Sequence, residues 1–280
     1  MTSARLGLTA ALLLVIGGQS VAQESITRYV RYVYEGVVAY GILDGDSVRE
    51  LSGDLFSSPR ETGMLVPLSD VRLLAPCKPP KLVAVGLNYR SHLNDRPVPE
   101  YPGLFAKYPS AVVGPEEKIV IPPDATDVHY EGELVVVIGK RAKNITAAEA
   151  PDYVFGVTAG NDVSERVWQR GDLQWVRAKT SDTFAPLGPA IAVGLDYNDL
   201  LVETRLNGEV RQSERTRDLI FGVDSVVAYI SRYVTLMPGD VIFTGTPGST
   251  SAMQPGDVVE VEIEGVGILR NIVAASQEKH

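Results

Sequence analysis

The chain of 280 residues is 45% hydrophobic and 22% charged, proportions that exclude a collagen-like chain and a wholly disordered one. Its formal net charge of −9 disfavours contact with nucleic-acid phosphates, so we predict no nucleic-acid partner. The single cysteine, Cys77, excludes an intramolecular disulfide and a zinc site built from several thiolates.

The first 22 residues have the pattern of a secretory signal peptide. Arg5 supplies the positive charge, residues 6–17 are apolar, and Ser20-Val21-Ala22 offers small residues for cleavage after Ala22. The apolar run is shorter than the roughly 20 residues that a membrane span needs, so we predict no stable membrane anchor. The pattern therefore predicts a periplasmic or secreted protein. The alternative is a cytoplasmic protein whose start has been assigned too far upstream.

Residues 26–76 are predicted to form a small β-rich N-terminal domain. Strands are expected at 29–34, 37–43 and 47–51, with a hairpin turn at Asp44-Gly45 between the last two. The segment Pro76-Cys77-Lys78-Pro79-Pro80 is typical of a stiff, extended linker. We therefore place a domain boundary there.

A second domain is predicted over residues 81–275. Buried or alternating strands are expected at 82–85, 134–138, 154–159, 240–243 and 258–263. A short helix is expected to begin after Thr146, and residues 224–233 have the apolar spacing of an amphipathic helix. The sequence thus predicts an α+β protein that is mainly β.

Three acids in this domain are candidate metal ligands. Glu131 and Glu133 are two residues apart at the start of a predicted strand, so their side chains project to the same face. Adjacent carboxylates repel unless a cation lies between them, and oxygen ligands select hard cations such as Mg²⁺, Mn²⁺ or Ca²⁺. Asp162 follows another buried strand and adds a third carboxylate. The alternatives are a solvent-facing glutamate at a frayed strand end and an Asn161-Asp162 turn or cap.

Two histidines and two cations complete the set of candidate residues. Asp95 lies three residues after His92 and, on a helical segment, would orient the imidazole as a general base. The alternative is a surface histidine on a turn. His129 is interpreted as a core residue, and the alternative is a group behind the acids. Lys179 and Arg166 are candidates to offset the acids and bind an anionic substrate, or else are solvated surface charges.

The order of these motifs resembles the fumarylacetoacetate hydrolase family over residues 81–272. The motifs that carry the resemblance are Gly86-Leu87-Asn88-Tyr89 with His92, Phe105-Ala106-Lys107 with Ser110, Tyr130-Glu131-Gly132-Glu133-Leu134, Asn161-Asp162-Val163-Ser164 with Arg166, Lys179 with Asp182-Thr183-Phe184 and Leu187-Gly188-Pro189, Asn207-Gly208-Glu209 with Arg211-Gln212, Pro238-Gly239-Asp240, and Thr244-Gly245-Thr246-Pro247. The N-terminal part is similar to the accessory domain that many members carry.

The resemblance implies a mixed β-roll fold and a homodimer. It implies that Glu131, Glu133 and Asp162 bind Mg²⁺ or Mn²⁺. It also assigns catalytic roles to His92, Asp95 and Lys179. The residues implied to contact the substrate are Arg166, Gln212, Gly245 and Thr246.

The activity implied by the resemblance is metal-dependent cleavage of a C–C bond in an acylpyruvate or another 1,3-diketo acid, through an enolate. Other members isomerise or decarboxylate dienedioates and oxo acids through the same enolate, without attack by water. An alternative from another class is an exported binding protein that holds an oxo acid without turnover.

Two positions depart from the family pattern. The family commonly has glutamate three residues after the histidine, and the side chain of Asp95 is one methylene shorter. This difference weakens the case for hydrolysis relative to isomerisation or decarboxylation. Gly248-Ser249-Thr250-Ser251 stands where a further glycine-rich turn is usual, so we expect the substrate loop to differ.

Overall fold

A computed structural model describes residues 26–276, so the predicted signal peptide lies outside the described residues. The strands are β1 (Thr27–Tyr34), β2 (Val37–Asp44), β3 (Ser47–Ser52), β4 (Arg60–Pro67), β5 (Arg72–Leu74), β6 (Leu82–Gly86), β7 (Gly103–Lys107), β8 (Val112–Val113), β9 (Lys118–Ile121), β10 (Val128–His129), β11 (Gly132–Ile138), β12 (Val154–Asn161), β13 (Ser164–Glu165), β14 (Ala185–Val193), β15 (Leu201–Leu206), β16 (Glu209–Arg215), β17 (Val241–Phe243), β18 (Val258–Ile263) and β19 (Gly267–Ala275). The α-helices are α1 (Arg166–Gly171), α2 (Val176–Thr180) and α3 (Val223–Tyr233). The predicted class, α+β and mainly β, is confirmed.

The strands of this described part form three sheets. The largest has the order β4-β3-β2-β1-β14-β12-β11-β17-β6-β7, with β5 beside β1 and β8 beside β14. A second has the order β16-β15-β18-β19-β9, and β10 pairs with β13. Between residues 26 and 276, no helix has both the length and the apolar character needed to cross a membrane.

The N-terminal strands extend the sheet of the rest of the chain. Strand β1 pairs antiparallel with β14, in the register Thr27 to Val193. The predicted hairpin is present, because Asp44 pairs with Ser47 and Gly45 takes the positive φ of +57° that such a turn requires. The N-terminal region is therefore β-rich as predicted. Its strands β1 to β4 belong to the same sheet as strands that follow the proline-rich segment.

Strand β11 runs through the centre of the molecule and is buried at every position. It pairs with β12 on one side and β17 on the other. Leu134 and Val136 face one apolar cluster while Val135 and Val137 face another, as the alternation of a strand requires. Helix α3 packs its predicted apolar face on the first cluster. A strand buried on both faces explains the continuous apolar run in the sequence.

The short helix predicted after Thr146 is wrong. Residues 147–149 form a turn, and a single 3₁₀ turn follows at Ala150–Asp152. The predicted Thr146 cap is not formed either, because the backbone N and Oγ1 of Thr146 both donate to Glu149 Oε2, each at 2.8 Å, and the hydroxyl does not accept from a backbone N–H. Pro151 has no N–H with which to bond the carbonyl of Ala147, so an α-helix does not continue.

Candidate functional site

The three predicted acids converge where β11 begins and β12 ends. These strands are antiparallel neighbours with Gly132 opposite Asn161, so Glu131 and Glu133 lie beside Asp162. One carboxylate oxygen of each acid lies within 4.8 Å of the others, and all three residues are buried. Asp162 N donates to the Glu131 carbonyl at 2.8 Å, which fixes the two segments to each other.

The glycine between the two glutamates is required by a close approach. A Cβ at Gly132 would lie 1.9 Å from Thr204 Oγ1, a buried atom of β15. Because real Cβ contacts are never this short, only glycine lets β11 lie against β15 at this point. The packing of β11 against β15 therefore fixes the position of the two glutamates that flank Gly132.

Three cationic side chains contact the acids. Lys179 of α2 bridges two of them, with Nζ 2.6 Å from Glu131 Oε2 and 2.5 Å from Asp162 Oδ2. Arg166, the first residue of α1, places Nη2 2.5 Å from Glu131 Oε1. Lys107, at the end of β7, places Nζ 2.5 Å from Asp162 Oδ1. The predicted pairing of Lys179 and Arg166 with the acids is thus present in the structure.

Sequence reasoning missed Lys107. Its side chain is fully buried, and its ammonium also donates to the carbonyl of Lys179. Burial lowers the pKa of Lys107, although the charge of Asp162 acts in the opposite direction. The only sequence signal was its place in the motif Phe105-Ala106-Lys107, because a lysine at a strand end is ordinarily solvated.

The two glutamates have opposite electrostatic surroundings. Burial alone would raise the pKa of Glu131, but the charges of Lys179 and Arg166 outweigh it and hold that pKa well below its usual range. Burial raises the pKa of Glu133 well above its usual range, and the charges of Asp162 and Glu131 add to the effect. The surroundings of Glu131 therefore favour its ionised form, whereas those of Glu133 favour its protonated form.

The acids fit a hard divalent cation. No cationic side chain in the described part of the chain forms an ion pair with Glu133, whose Oε2 accepts a hydrogen bond from Gly245 N at 2.7 Å. A buried carboxylate without a countercharge, next to two others, is the donor set that Mg²⁺ or Mn²⁺ prefers. Glu131, Glu133 and Asp162 are therefore the residues that could hold a metal ion.

His92 lies beside the acids, with Nε2 3.8 Å from Glu131 Oε1. Its Nδ1 is 2.6 Å from the carbonyl oxygen of Gly248, so this nitrogen carries the proton and donates it. Nε2 is directed toward the acids, and in the neutral ring it is the nitrogen without a proton.

The predicted pair of His92 and Asp95 is not formed in this structure. Asp95 is exposed, and nothing in the described part of the chain joins it to His92 by a hydrogen bond or ion pair. Asn94, between them, has a left-handed φ of +51° that interrupts the helical turn after Arg90–His92. The i to i+3 geometry that the prediction needs is therefore absent, while the catalytic role of Asp95 stays a prediction.

The other predicted substrate residues, Gln212, Gly245 and Thr246, connect the segment at 245–247 to the start of β11 by hydrogen bonds. Gln212 Nε2 donates to Thr246 Oγ1 at 2.8 Å, and Gln212 Oε1 accepts from Gly132 N at 3.1 Å. Thr246 Oγ1 in turn donates to the Gly132 carbonyl at 2.8 Å. Thr246 lines the cavity that opens above the acids. Gln212 and Gly245 do not line it, but they hydrogen-bond Thr246 and Glu133, which do.

A cavity of about 580 Å³ opens above the acids. His92, Arg166 and Lys179 contribute to its inner surface. Phe105 and Trp175 form an aromatic wall, with ring centroids 5.4 Å apart in an edge-to-face arrangement. The Phe105 ring also lies 5.0 Å from Lys179 Nζ, a cation–π contact. The cavity can therefore hold a small anion beside a metal ion.

His129 is half-buried next to this cavity and does not line it. Its ring nitrogens hydrogen-bond Thr250 Oγ1 and Asp127 Oδ1, each at 2.8 Å. Burial lowers the pKa of His129, although the hydrogen bond to Asp127 opposes the shift. Its position agrees with a group behind the acids, which was one of its two sequence interpretations.

Comparisons with known proteins agree with this geometry. The family model described as "Fumarylacetoacetate (FAA) hydrolase C-terminal" matches residues 81–274, and the model "Rv2993c-like, N-terminal" matches residues 27–76. Protein Rv2993c of Mycobacterium tuberculosis is 44% identical over 249 residues, 84% of this chain and 94% of that protein. Oxaloacetate tautomerase FAHD2A, mitochondrial, of Bos taurus is 43% identical over 224 residues, 75% of this chain and 71% of that protein.

Solved structures are similar over nearly the whole described chain. A 5-carboxymethyl-2-hydroxymuconate delta-isomerase from Mycobacterium smegmatis has a TM-score of 0.85 and 43% identity, covering 89% of this chain and 100% of that one. A more distant structure is maleylpyruvate hydrolase from Sphingobium sp. SYK-6 in complex with manganese(II) ion and pyruvate. It has a TM-score of 0.75 and 28% identity, covering 89% of this chain and 100% of that one.

Proposed function

Because the chain belongs to the fumarylacetoacetate hydrolase family, we propose that it is a metal-dependent isomerase or tautomerase of a 2-oxo dicarboxylic acid. The observation that carries this proposal is the setting of His92. Its Nε2 is directed toward the acids, and its Nδ1 is held by the backbone carbonyl of Gly248 while Asp95 lies apart. A carboxylate that orients the imidazole favours activation of water, and His92 lacks that partner here. Isomerisation and tautomerisation need no attack by water, so this setting favours them over hydrolysis.

The three acids support the metal dependence. Glu131, Glu133 and Asp162 would hold Mg²⁺ or Mn²⁺, and the ion when bound supplies Lewis-acid stabilisation of the negative charge that develops on a 2-oxo acid.

The side chains around the acids carry the rest of the reaction. Arg166 and Lys179 attract the substrate carboxylates into the cavity. His92 Nε2 takes a proton from the carbon next to the 2-oxo group, which leaves an enolate. The same proton then returns to the enolate oxygen in a tautomerase, or to another carbon in an isomerase. No bond to carbon other than C–H breaks, and no water is consumed.

The relatives support this choice of reaction. The names of two relatives that are 43% identical state isomerisation or tautomerisation. The second candidate is hydrolysis of a C–C bond in an acylpyruvate. It is favoured by the 28% identity to the maleylpyruvate hydrolase structure, which contains manganese and pyruvate.

The test uses the full-length protein, stripped of metal by a chelator and then given Mg²⁺ or Mn²⁺. Oxaloacetate enol and an acylpyruvate are offered separately, and products are identified by NMR. We expect metal-restored conversion of the enol to the keto form with no new acid. We expect that conversion to be lost in His92→Asn and Glu131→Gln.

Other products would overturn the proposal. Release of pyruvate and a second acid from the acylpyruvate would establish the hydrolase, and release of CO₂ from oxaloacetate would establish a decarboxylase. Binding of metal and oxalate without turnover of either compound would favour a binding protein.

A further inference from the structure

Four residues form a closed ring of hydrogen bonds at the cavity, and two of them, Arg166 and Thr250, line it. Asp127 Oδ1 is 2.8 Å from His129 Nε2, and His129 Nδ1 is 2.8 Å from Thr250 Oγ1. Arg166 Nη2 donates to Thr250 Oγ1 at 2.8 Å. The backbone N of Arg166 donates to the Asp127 carbonyl at 2.9 Å and completes the ring.

One assignment of protons satisfies every bond in this ring. His129 donates from Nε2 to the carboxylate of Asp127, so Nδ1 is free to accept. The Thr250 hydroxyl donates to that Nδ1, and its lone pairs accept the proton of Arg166 Nη2. Each donor therefore has one acceptor, and the direction of the Thr250 hydroxyl is determined by His129.

The ring joins three segments of the chain that hold the site. The backbone of His129 pairs with Ser164 in the β10–β13 ladder and forms a bridge to Ala252. Asp127 is held by Glu165, whose Oε1 accepts from the Asp127 backbone N at 2.9 Å. The strand before the acids, the start of α1 and the loop at 248–252 are therefore fixed to one another here.

The ring supplies one of the contacts that orient the Arg166 guanidinium. Nη2 is shared between Thr250 and Glu131, and Nη1 donates to Gln169 Oε1 at 2.8 Å. Thr250 is the contact that holds the guanidinium from the side of the loop. Without it, the remaining contacts leave the long side chain more rotamers to sample before a ligand binds.

We propose that His129 and Thr250 are positioning residues that hold the Arg166 guanidinium toward the cavity, ready to bind the carboxylate of an anionic substrate. This inference rests on the proposed function in one respect, since it takes Arg166 as a contact of an anionic ligand. It adds two residues, of which Thr250 lines the cavity and His129 does not, and gives each a defined hydrogen bond.

The experiment measures the binding of oxalate, a planar dianion, to the Mg²⁺-loaded protein by calorimetry. Thr250→Val keeps the shape of the side chain and removes the hydroxyl, whereas Thr250→Ser keeps the hydroxyl. We expect Thr250→Val to weaken oxalate binding about tenfold, since it removes one hydrogen bond to a charged group. Thr250→Ser is expected to restore most of that loss, and the affinity for Mg²⁺ alone should change less than about twofold.

A matched control removes a hydroxyl from the next residue of the same loop. Ser251 is exposed and contacts Tyr130 OH at 3.2 Å, outside the ring, so Ser251→Ala should leave oxalate binding unchanged. His129→Ala breaks the ring from the opposite side, and its effect should match that of Thr250→Val. This second variant keeps the test valid if one of the two fails to fold.

Arg166→Ala separates this inference from the proposed function. If the ring acts through Arg166, Thr250→Val has no further effect in the Arg166→Ala background. Equal losses in Thr250→Val and Ser251→Ala, or fully additive losses in the double variant, would overturn the positioning role. Unchanged oxalate binding in Arg166→Ala would instead overturn the anion site on which the proposed function depends.

Discussion

Lys107 Nζ lies 2.5 Å from Asp162 Oδ1, and both side chains are buried. The pair connects β7, at the edge of the large sheet, to the acid that follows β12. The same ammonium donates to the Lys179 carbonyl, so Lys107 supports both an acid and a cation of the site. It is therefore a structural element of the acidic site, and its loss should affect folding first.

Replacing Lys107 by methionine should destabilise the protein by about 3–5 kcal/mol, because it leaves Asp162 with one cationic contact fewer inside the protein. Urea unfolding followed by circular dichroism measures the free energy of unfolding. Lys140 is exposed, and Lys140→Met is the matched control, expected to change that free energy by less than about 0.5 kcal/mol. Equal unfolding midpoints for the two variants would show that the buried pair contributes little.

Replacing Gly132 by alanine should lower both stability and metal affinity. The new Cβ would meet Thr204 Oγ1 at 1.9 Å, so β11 must shift and carry Glu131 and Glu133 with it. We expect a loss of about 1–3 kcal/mol in unfolding free energy and weaker Mg²⁺ binding by calorimetry. Gly171→Ala places its Cβ in open space and serves as the control. Native Mg²⁺ affinity in Gly132→Ala would contradict the requirement for glycine.

The stability of the metal-free protein should fall as the pH rises, through Glu133. Its pKa is raised in the folded state by burial and by Asp162 and Glu131, so the folded protein holds this proton more tightly than the unfolded chain. The stabilisation is full below the unfolded-state pKa of about 4.3 and is lost as the pH rises through the folded-state pKa. The pKa of Glu131 lies well below its usual range, so its own contribution is constant above about pH 5.

The variant Glu133→Gln tests the predicted direction of this pH dependence, because its amide is neutral at every pH and its oxygen still accepts the hydrogen bond from Gly245 N. In chelator, the melting temperatures of the two proteins should diverge from pH 5 to pH 8, with the variant the more stable at pH 8. The slope for Glu133 is at most about 1.4 kcal/mol per pH unit. Addition of Mg²⁺ at pH 8 should raise the wild-type melting temperature more than that of the variant. Parallel melting curves in chelator would contradict the assignment.

Cys77 should be inert in the folded protein. Its thiol is buried, and burial raises its pKa to about 12, so almost no thiolate is present at pH 8. We expect a disulfide reagent such as Ellman's reagent to release no colour from the native protein within an hour. In 6 M guanidinium chloride it should titrate one thiol per chain. A rapid reaction of the native protein would show that the region around Cys77 opens locally.

The N-terminal segment should be removed on export. We propose cleavage after Ala22, on the basis of the charge, the apolar run and the small residues that precede this site. Expression of the full-length chain in a bacterium, followed by intact-mass analysis of the periplasmic fraction, should give a protein that begins at Gln23. A full-length mass recovered only from the cytoplasm would support the alternative of a start assigned too far upstream.

The sequence by itself determined those parts of the protein that depend on local periodicity. The continuous apolar run of mostly β-branched residues at 134–138 predicted a buried strand, and the spacing of apolar residues from 226 to 234 predicted the helix that the structure places at Val223–Tyr233. The interval of two residues between Glu131 and Glu133 placed both carboxylates on one side of the strand, and Asp162 followed a second buried strand. The acidic centre was therefore predictable from strand geometry.

Only the tertiary structure decided which groups meet those acids. Lys107 and Asp162 are 55 residues apart in the chain, and His129 and Thr250 are 121 apart, so no local pattern relates them. A single left-handed residue, Asn94, separated Asp95 from His92, and Pro151 ended the helix expected after Thr146. Periodicity reports which face of a segment is apolar. The pairing of a buried charge depends instead on how distant strands are ordered in the sheet, which the whole fold determines.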